Sequence, residues 1–207
     1  MIRGARGAAF TLNARLNRPD NQADVAQTIE GSVQKRLSNR WSLGSSFGAT
    51  KQHRWIQGVI ENPNQNAFPL DETWNYQFRL NGSYTFPYEI LFGGTLTTMS
   101  GIKGQRTYVF RAADPLGGAP LRQLSTVTVR LEPFGSQTGP TQNYMDLRLG
   151  KSFAAGRQRR IEVSLDAINA LNTNVAQAMS FVSGPTFGQI TQIPAPRIVR
   201  FGAQYSF

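Results

Sequence analysis

The sequence predicts an all-β protein: an antiparallel up-and-down transmembrane β-barrel segment of about eight long strands with long extracellular loops. Three observations predict it. Apolar and polar residues alternate over stretches of about 9–13 residues, the length at which a tilted strand crosses a bilayer, whereas soluble strands average about 5–6. Aromatic residues gather toward the ends of the apolar faces, where barrels place their interfacial girdles. Connections alternate between short turns and long loops, the two kinds falling at opposite ends of the strands. No helical period is sustained, and no run approaches the ~20 apolar residues of a spanning helix.

Taken in order, the first strand covers 8–16, with Ala8, Phe10, Leu12, Ala14 and Leu16 on one face. Arg18-Pro19-Asp20-Asn21 then turns, since Pro presets φ and Asp and Asn tolerate turn conformations. The second strand lies near 25–37 (Ile29, Gly31, Val33, Leu37) and the third over 41–51 (Trp41, Leu43, Phe47, Ala49), joined by a short turn at Ser38-Asn39-Arg40. Alternation is lost over 52–73, a long loop. The clearest strand follows at 74–86. Trp74, Tyr76, Phe78, Leu80, Gly82, Tyr84 and Phe86 face one side and Asn75, Gln77, Arg79, Asn81, Ser83 and Thr85 the other. Asn81-Gly82 is a hairpin signal in isolation, but the alternation continues in register across it. Pro87-Tyr88 turns into a fifth strand at 89–98. Residues 99–142 form a second long loop that holds a strand of its own around Val127, Val129 and Leu131. Strands at 143–153 and 160–168 flank a turn at 154–159. A third long loop, 169–197, leads to the last strand, in which Val199, Phe201, Ala203, Tyr205 and Phe207 oppose Arg200, Gly202, Gln204 and Ser206.

The totals bound the chemistry. The chain has 207 residues, no Cys, one His and a formal charge of +10. It is long enough for one domain, and nothing in its composition marks a second. Without Cys there is no disulfide framework, thiolate nucleophile or zinc finger, and the lone His53 excludes a His-pair metal site. No catalytic, cofactor-binding or metal-binding residues are assigned. The basic charge fits an anionic partner.

The last strand carries a signal of its own. A polar residue, a Gly and two aromatics at alternate positions up to the carboxyl terminus resemble the C-terminal strand that the barrel assembly machinery reads in bacterial outer-membrane β-barrels. Here those residues are Arg200, Gly202, Tyr205 and Phe207. Trp41, Trp74, Tyr76, Tyr84 and Phe86 are the expected membrane-interface aromatics. If the last strand runs toward the periplasm, every long loop falls outside. Arg15, Arg36, Arg79, Arg148 and Arg200 then point into the lumen, and Lys103, Arg106, Arg111 and Arg122 face anionic lipopolysaccharide. Arg157, Arg159 and Arg160 lie at a periplasmic turn.

The second half is similar to a particular group of such proteins. Asp146-Leu147-Arg148-Leu149-Gly150-Lys151-Ser152-Phe153 resembles the strand before the last hairpin of TonB-dependent outer-membrane receptors of the Oar-like group. Val163 to Asn172 resembles the penultimate strand and its Asn-rich exit. Phe187-Gly188-Gln189-Ile190 and Pro196 to Gly202 resemble the closing segment. The resemblance covers about residues 124–207. It implies a 22-stranded barrel with a plug and a TonB-contacting motif, which 207 residues do not accommodate. Residues 1–207 are therefore expected to be the C-terminal portion of the barrel, without plug or signal peptide. The N-terminus also lacks an apolar signal h-region. The expected partners are outer-membrane lipid, the assembly machinery, the rest of the barrel and an unidentified transported ligand, with no nucleic acid.

Three motifs are set aside. Gly44-Ser45-Ser46-Phe47-Gly48 fits G-x-S-x-G but lies on a strand with no acid-then-His order downstream. Gly150-Lys151-Ser152 ends like a P-loop, but Met145 stands at the first Gly position and no helix follows. Glu162 and Asp166 share a strand face and are expected as partners of Arg148 or Arg200, not as an acid/base pair. Two other functions fit parts of the pattern. A self-contained eight-stranded barrel acting as an adhesin or structural protein would close with a side-chain-filled lumen. A soluble basic β-protein could stack bases on its aromatics. That second alternative needs aromatics and cations on one face, and here they lie on opposite faces of the strands at 74–86 and 199–207.

Overall fold

The computed structural model describes residues 23–55, 69–111, 113–114, 121, 125–156 and 159–207. The strand expected at 8–16, Arg15, Arg122, Arg157 and most of the first long loop lie outside the described residues.

Seven long strands form the main sheet: β1 (Val25–Ser38), β2 (Trp41–His53), β3 (Trp74–Phe86), β4 (Ile90–Met99), β5 (Gln142–Ala154), β6 (Arg160–Ile168) and β7 (Ile198–Ser206). Each matches a strand expected from the alternation, to within two residues at the ends. They pair in chain order, every neighbour antiparallel, so the sheet is a meander without crossovers. β3 runs straight through Asn81-Gly82, because both neighbours pair with it on either side of that dipeptide.

The turn chemistry explains the tight ends. Asn39 and Arg40 both take positive φ, 51° and 70°, between the paired residues Ser38 and Trp41. Two left-handed residues give a hairpin turn whose twist matches its strands. A short 3-10 turn at Pro87–Glu89 joins β3 to β4, with Tyr88 at φ 63°. Ala155 N–H donates to the Arg159 carbonyl at 2.8 Å to close the β5–β6 turn.

At the opposite end the long loops carry ribbons of their own. Thr107–Arg111 pairs with Thr126–Arg130, Lys103–Gly104 with Gln137–Thr138, and Ala178–Met179 with Ile190–Gln192. The strand expected around Val127 is therefore present. Its partner at 107–111 was not expected.

The register brings the apolar positions of all seven strands to one face. Phe47 lies beside Phe78, and the row Trp41–Tyr84–Phe92–Leu149–Leu165–Phe201 crosses six strands. Nothing described packs over that face. Among the described residues the buried apolar side chains are Ala49 and Ala176 alone, and no large side chain is fully buried. The sheet is open: β1 and β7 are its edges, and no closed barrel forms among the described residues.

Candidate functional site

The apolar face is the first candidate surface. Trp41, Tyr84 and Phe86 stand at its short-turn end with Phe92, Phe153, Tyr205 and Phe207, all exposed. The Tyr84 and Phe86 rings meet edge to face at 4.6 Å, and the Tyr205 and Phe207 rings stack at 5.8 Å. Trp74 and Tyr76 mark the long-loop end. There the Tyr76 hydroxyl bonds Thr141 Oγ1 at 2.9 Å, and Lys103 donates to the Trp74 carbonyl. The structure thus sorts the expected interface aromatics into two bands at opposite ends of the strands. Between the bands Gly82 and Gly94 sit side by side and leave a cleft of about 570 Å³ walled by Trp41, Tyr84, Phe92, Leu96 and Leu147.

No acidic residue of the seven strands lies on this face. Its cations are Lys35, Lys51 and Lys151, with His53 at the rim bonded to Glu72 at 3.1 Å. Lys35 is held internally. Its ammonium lies 3.8 Å from the Trp41 ring centroid and donates to the Ser38 carbonyl, Ser38 Oγ and the Trp41 carbonyl at 2.9–3.0 Å. It therefore ties down the β1–β2 turn.

The opposite, polar face carries an ion cluster. Register sets Asp166 directly between Arg148 on β5 and Arg200 on β7. Arg200 donates to Asp166 Oδ2 through Nε at 3.2 Å and Nη2 at 2.9 Å. Arg148 reaches Asp166 Oδ1 at 3.6 Å and Glu162 Oε1 at 3.4 Å. Both carboxylates are thus engaged by guanidinium groups, as expected from the sequence. The cluster is thus an electrostatic brace that ties β5, β6 and β7 together on the polar face.

The four residues expected to form a C-terminal assembly signal divide between the faces. Arg200 belongs to this cluster. A Cβ on Gly202 would lie 2.7 Å from Ser164 Oγ, so glycine leaves room for the neighbouring strand's side chain. Tyr205 and Phe207 close the aromatic band on the other face. Of the remaining arginines, Arg79 falls on the polar face by register, whereas Arg36 lies in the register shift between Lys35 and Ser38. Arg160 starts β6 and pairs with Glu89 of the β3–β4 turn at 3.0 Å, a contact between two short turns.

At the long-loop end, residues with no signal in the alternation hold the loops together. Asn169, at φ 51° and 6% exposed, donates its amide to the Thr173 and Ala195 carbonyls and accepts from Thr173 N–H. Its own N–H bonds Asp146 Oδ1 at 2.9 Å. Arg130 crosses to the Pro69 carbonyl at 2.8 Å, and burial pushes its guanidinium below the ordinary arginine pKa. Phe181 lies over Gly104, where a Cβ would come within 2.2 Å of the ring. Arg106 reaches Ser183 Oγ at 3.0 Å and lies over Phe187. The second long loop is thereby fastened to both others. Only the Asn-rich exit after β6 hinted at any of this.

Among the described residues no group of His, Cys, Asp and Glu is arranged to hold a metal ion. Comparison with protein-family models, curated proteins and solved structures gives no match.

Proposed function

We propose that this chain is part of the wall of an outer-membrane β-barrel, the C-terminal portion of a TonB-dependent, Oar-like receptor or transporter. It would form pore wall and extracellular loops. The observation that carries the reading is the continuous apolar face across seven strands with no hydrophobic core behind or above it among the described residues. A water-soluble sheet buries its apolar side against another layer. In hydrocarbon that side needs no cover, and the polar side lines the interior.

Strand length agrees. The 13 residues of β2 extend about 43 Å, which at a tilt of about 45° spans about 30 Å, the thickness of a hydrocarbon core. The aromatic bands, the short-turn and long-loop ends and the arginine-bearing polar face agree as well. Among the described residues β1 and β7 are unpaired edges, and such edges are costly in a bilayer, where no water satisfies backbone groups. In this reading further strands pair with them, as in a larger barrel. Separation of the aromatic bands from the arginines weighs against a nucleic-acid surface.

Cell fractionation tests the proposal. The protein is expected in the outer membrane, released only by detergent, and deletion of Phe207 is expected to lower the inserted fraction without lowering synthesis. A chain recovered as a monomer without detergent overturns it. Coding sequence upstream and continuous with Met1 that specifies a plug supports the transporter, whereas a signal peptide immediately upstream supports a self-contained eight-stranded adhesin.

A further inference from the structure

Resting on the membrane reading, we propose that the apolar face carries a binding site for an anionic glycerophospholipid, with the Lys151 ammonium on the phosphate and an acyl chain in the cleft beside it. Lys151 stands on β5 between Ile90 of β4 and Val163 of β6. With Leu149, Leu165 and Phe201 they line a cleft of about 310 Å³ whose walls are otherwise almost wholly apolar. The lysine is half-buried, and its ammonium lies 5.0 Å from the Phe153 ring centroid.

No carboxylate of the seven strands lies on this face to neutralise it. The nearby acids are committed elsewhere: Glu162 to Arg148 on the polar face and Glu89 to Arg160 in the turn. Lys35 differs, because its ammonium already serves the β1–β2 turn. Lys151 lies three residues before the short-turn end of β5, one row inward from Phe153, Ile161 and Tyr205. A lysine there buries its stem among apolar groups and offers its charge at the depth of the lipid headgroups. The site therefore joins a cation with no acidic partner among the described residues to an apolar slot, the complement of a headgroup phosphate on an acyl chain. A lipid with net negative charge fits better than a zwitterionic one, whose own ammonium faces the lysine.

Native mass spectrometry of the protein extracted from its membrane and delipidated tests this. Phosphatidylglycerol is added against phosphatidylethanolamine, uncharged diacylglycerol and inorganic phosphate. The wild type is expected to retain phosphatidylglycerol selectively. Lys151→Met keeps the apolar stem and should lower that retention about fivefold, the effect of one lysine at a lipid surface. Lys51→Met, on the same face at the far end, should leave it unchanged. Heat-shifted migration on a denaturing gel confirms that each variant is folded. Equal retention by K151M, equal loss in K51M, equal binding of diacylglycerol or displacement by inorganic phosphate overturns the site and leaves the membrane reading standing. Recovery of the protein in the soluble fraction overturns both.

Discussion

Asp166 lies between two arginines, its side chain 8% exposed against 46% for Arg148 and 65% for Arg200. Charge-assisted hydrogen bonds of this kind contribute about 1.5–3 kcal/mol when one partner is enclosed, and less where water screens the other. Asp166→Asn keeps the shape and removes the charge. It is expected to lower the free energy of unfolding by about 2 kcal/mol, with Arg148→Ala and Arg200→Ala each costing about 1 kcal/mol because their ends are half in water. Urea titrations in detergent measure all three. Tyr108 makes a separate point in the loops. Its hydroxyl donates to Asp114 Oδ1 at 2.8 Å, and that bond, before any burial effect, raises its pKa above the ordinary 10.0. The raised value means that the contact is intact below the ordinary tyrosine pKa and is lost as pH climbs through the raised one, when a phenolate would face a carboxylate. The difference between wild-type and Tyr108→Phe phenolate absorbance titrations should therefore have its midpoint above 10.0. Asp114→Ala should bring that midpoint down.

At the scale of strands, two glycines on the apolar face separate packing from propensity. A Cβ on Gly82 would lie 3.0 Å from the Ser42 carbonyl oxygen, a backbone atom that yields only if β2 shifts, whereas Gly31 on the edge strand has nothing within 4 Å. Gly82→Ala should destabilise by about 1–2 kcal/mol, and Gly31→Ala should be neutral or stabilise by up to about 0.5 kcal/mol by lowering chain entropy in the unfolded state. Thermal unfolding of the two variants side by side distinguishes them. The seven long strands were legible in the sequence because period 2 is written into each separately, and the register that aligns them preserves it: Ile29 meets Ala49, and Ala49 meets Tyr76. The Glu162–Asp166 pairing with arginines was legible for the same reason. Thr107–Arg111 was not, since Tyr108, Val109 and Phe110 run together without alternation, and such a run takes its identity from the partner it finds. Asn169 and Arg130 were hidden more deeply. Their roles depend on segments 26 and 61 residues away, and no local pattern encodes a contact of that kind.

For the whole molecule, the sorting of side chains by face and of connections by end makes the orientation testable residue by residue. In the proposed orientation the ends bearing Asn39, Tyr88 and Ala155 face the periplasm and the fastened loops face outward. The 207 residues have no Cys, so an introduced thiol is the sole one among them, and the unsubstituted protein serves as the labelling blank. Ile193, 58% exposed in the last long loop, reports the outer end. Ala155, exposed in the β5–β6 turn, reports the inner end. Phe201, 82% exposed in mid-strand on the apolar face, reports the bilayer. On intact cells a charged maleimide is expected to label Ile193→Cys and to reach Ala155→Cys only after the outer membrane is permeabilised. Phe201→Cys should resist the charged reagent in both conditions and react with an uncharged, lipid-soluble one. The inverse pattern at the first two positions would reverse the orientation while keeping the span. Labelling of Phe201→Cys by the charged reagent would place that face against water, where so large an apolar surface demands a protein cover, and would remove the physical ground for the barrel reading.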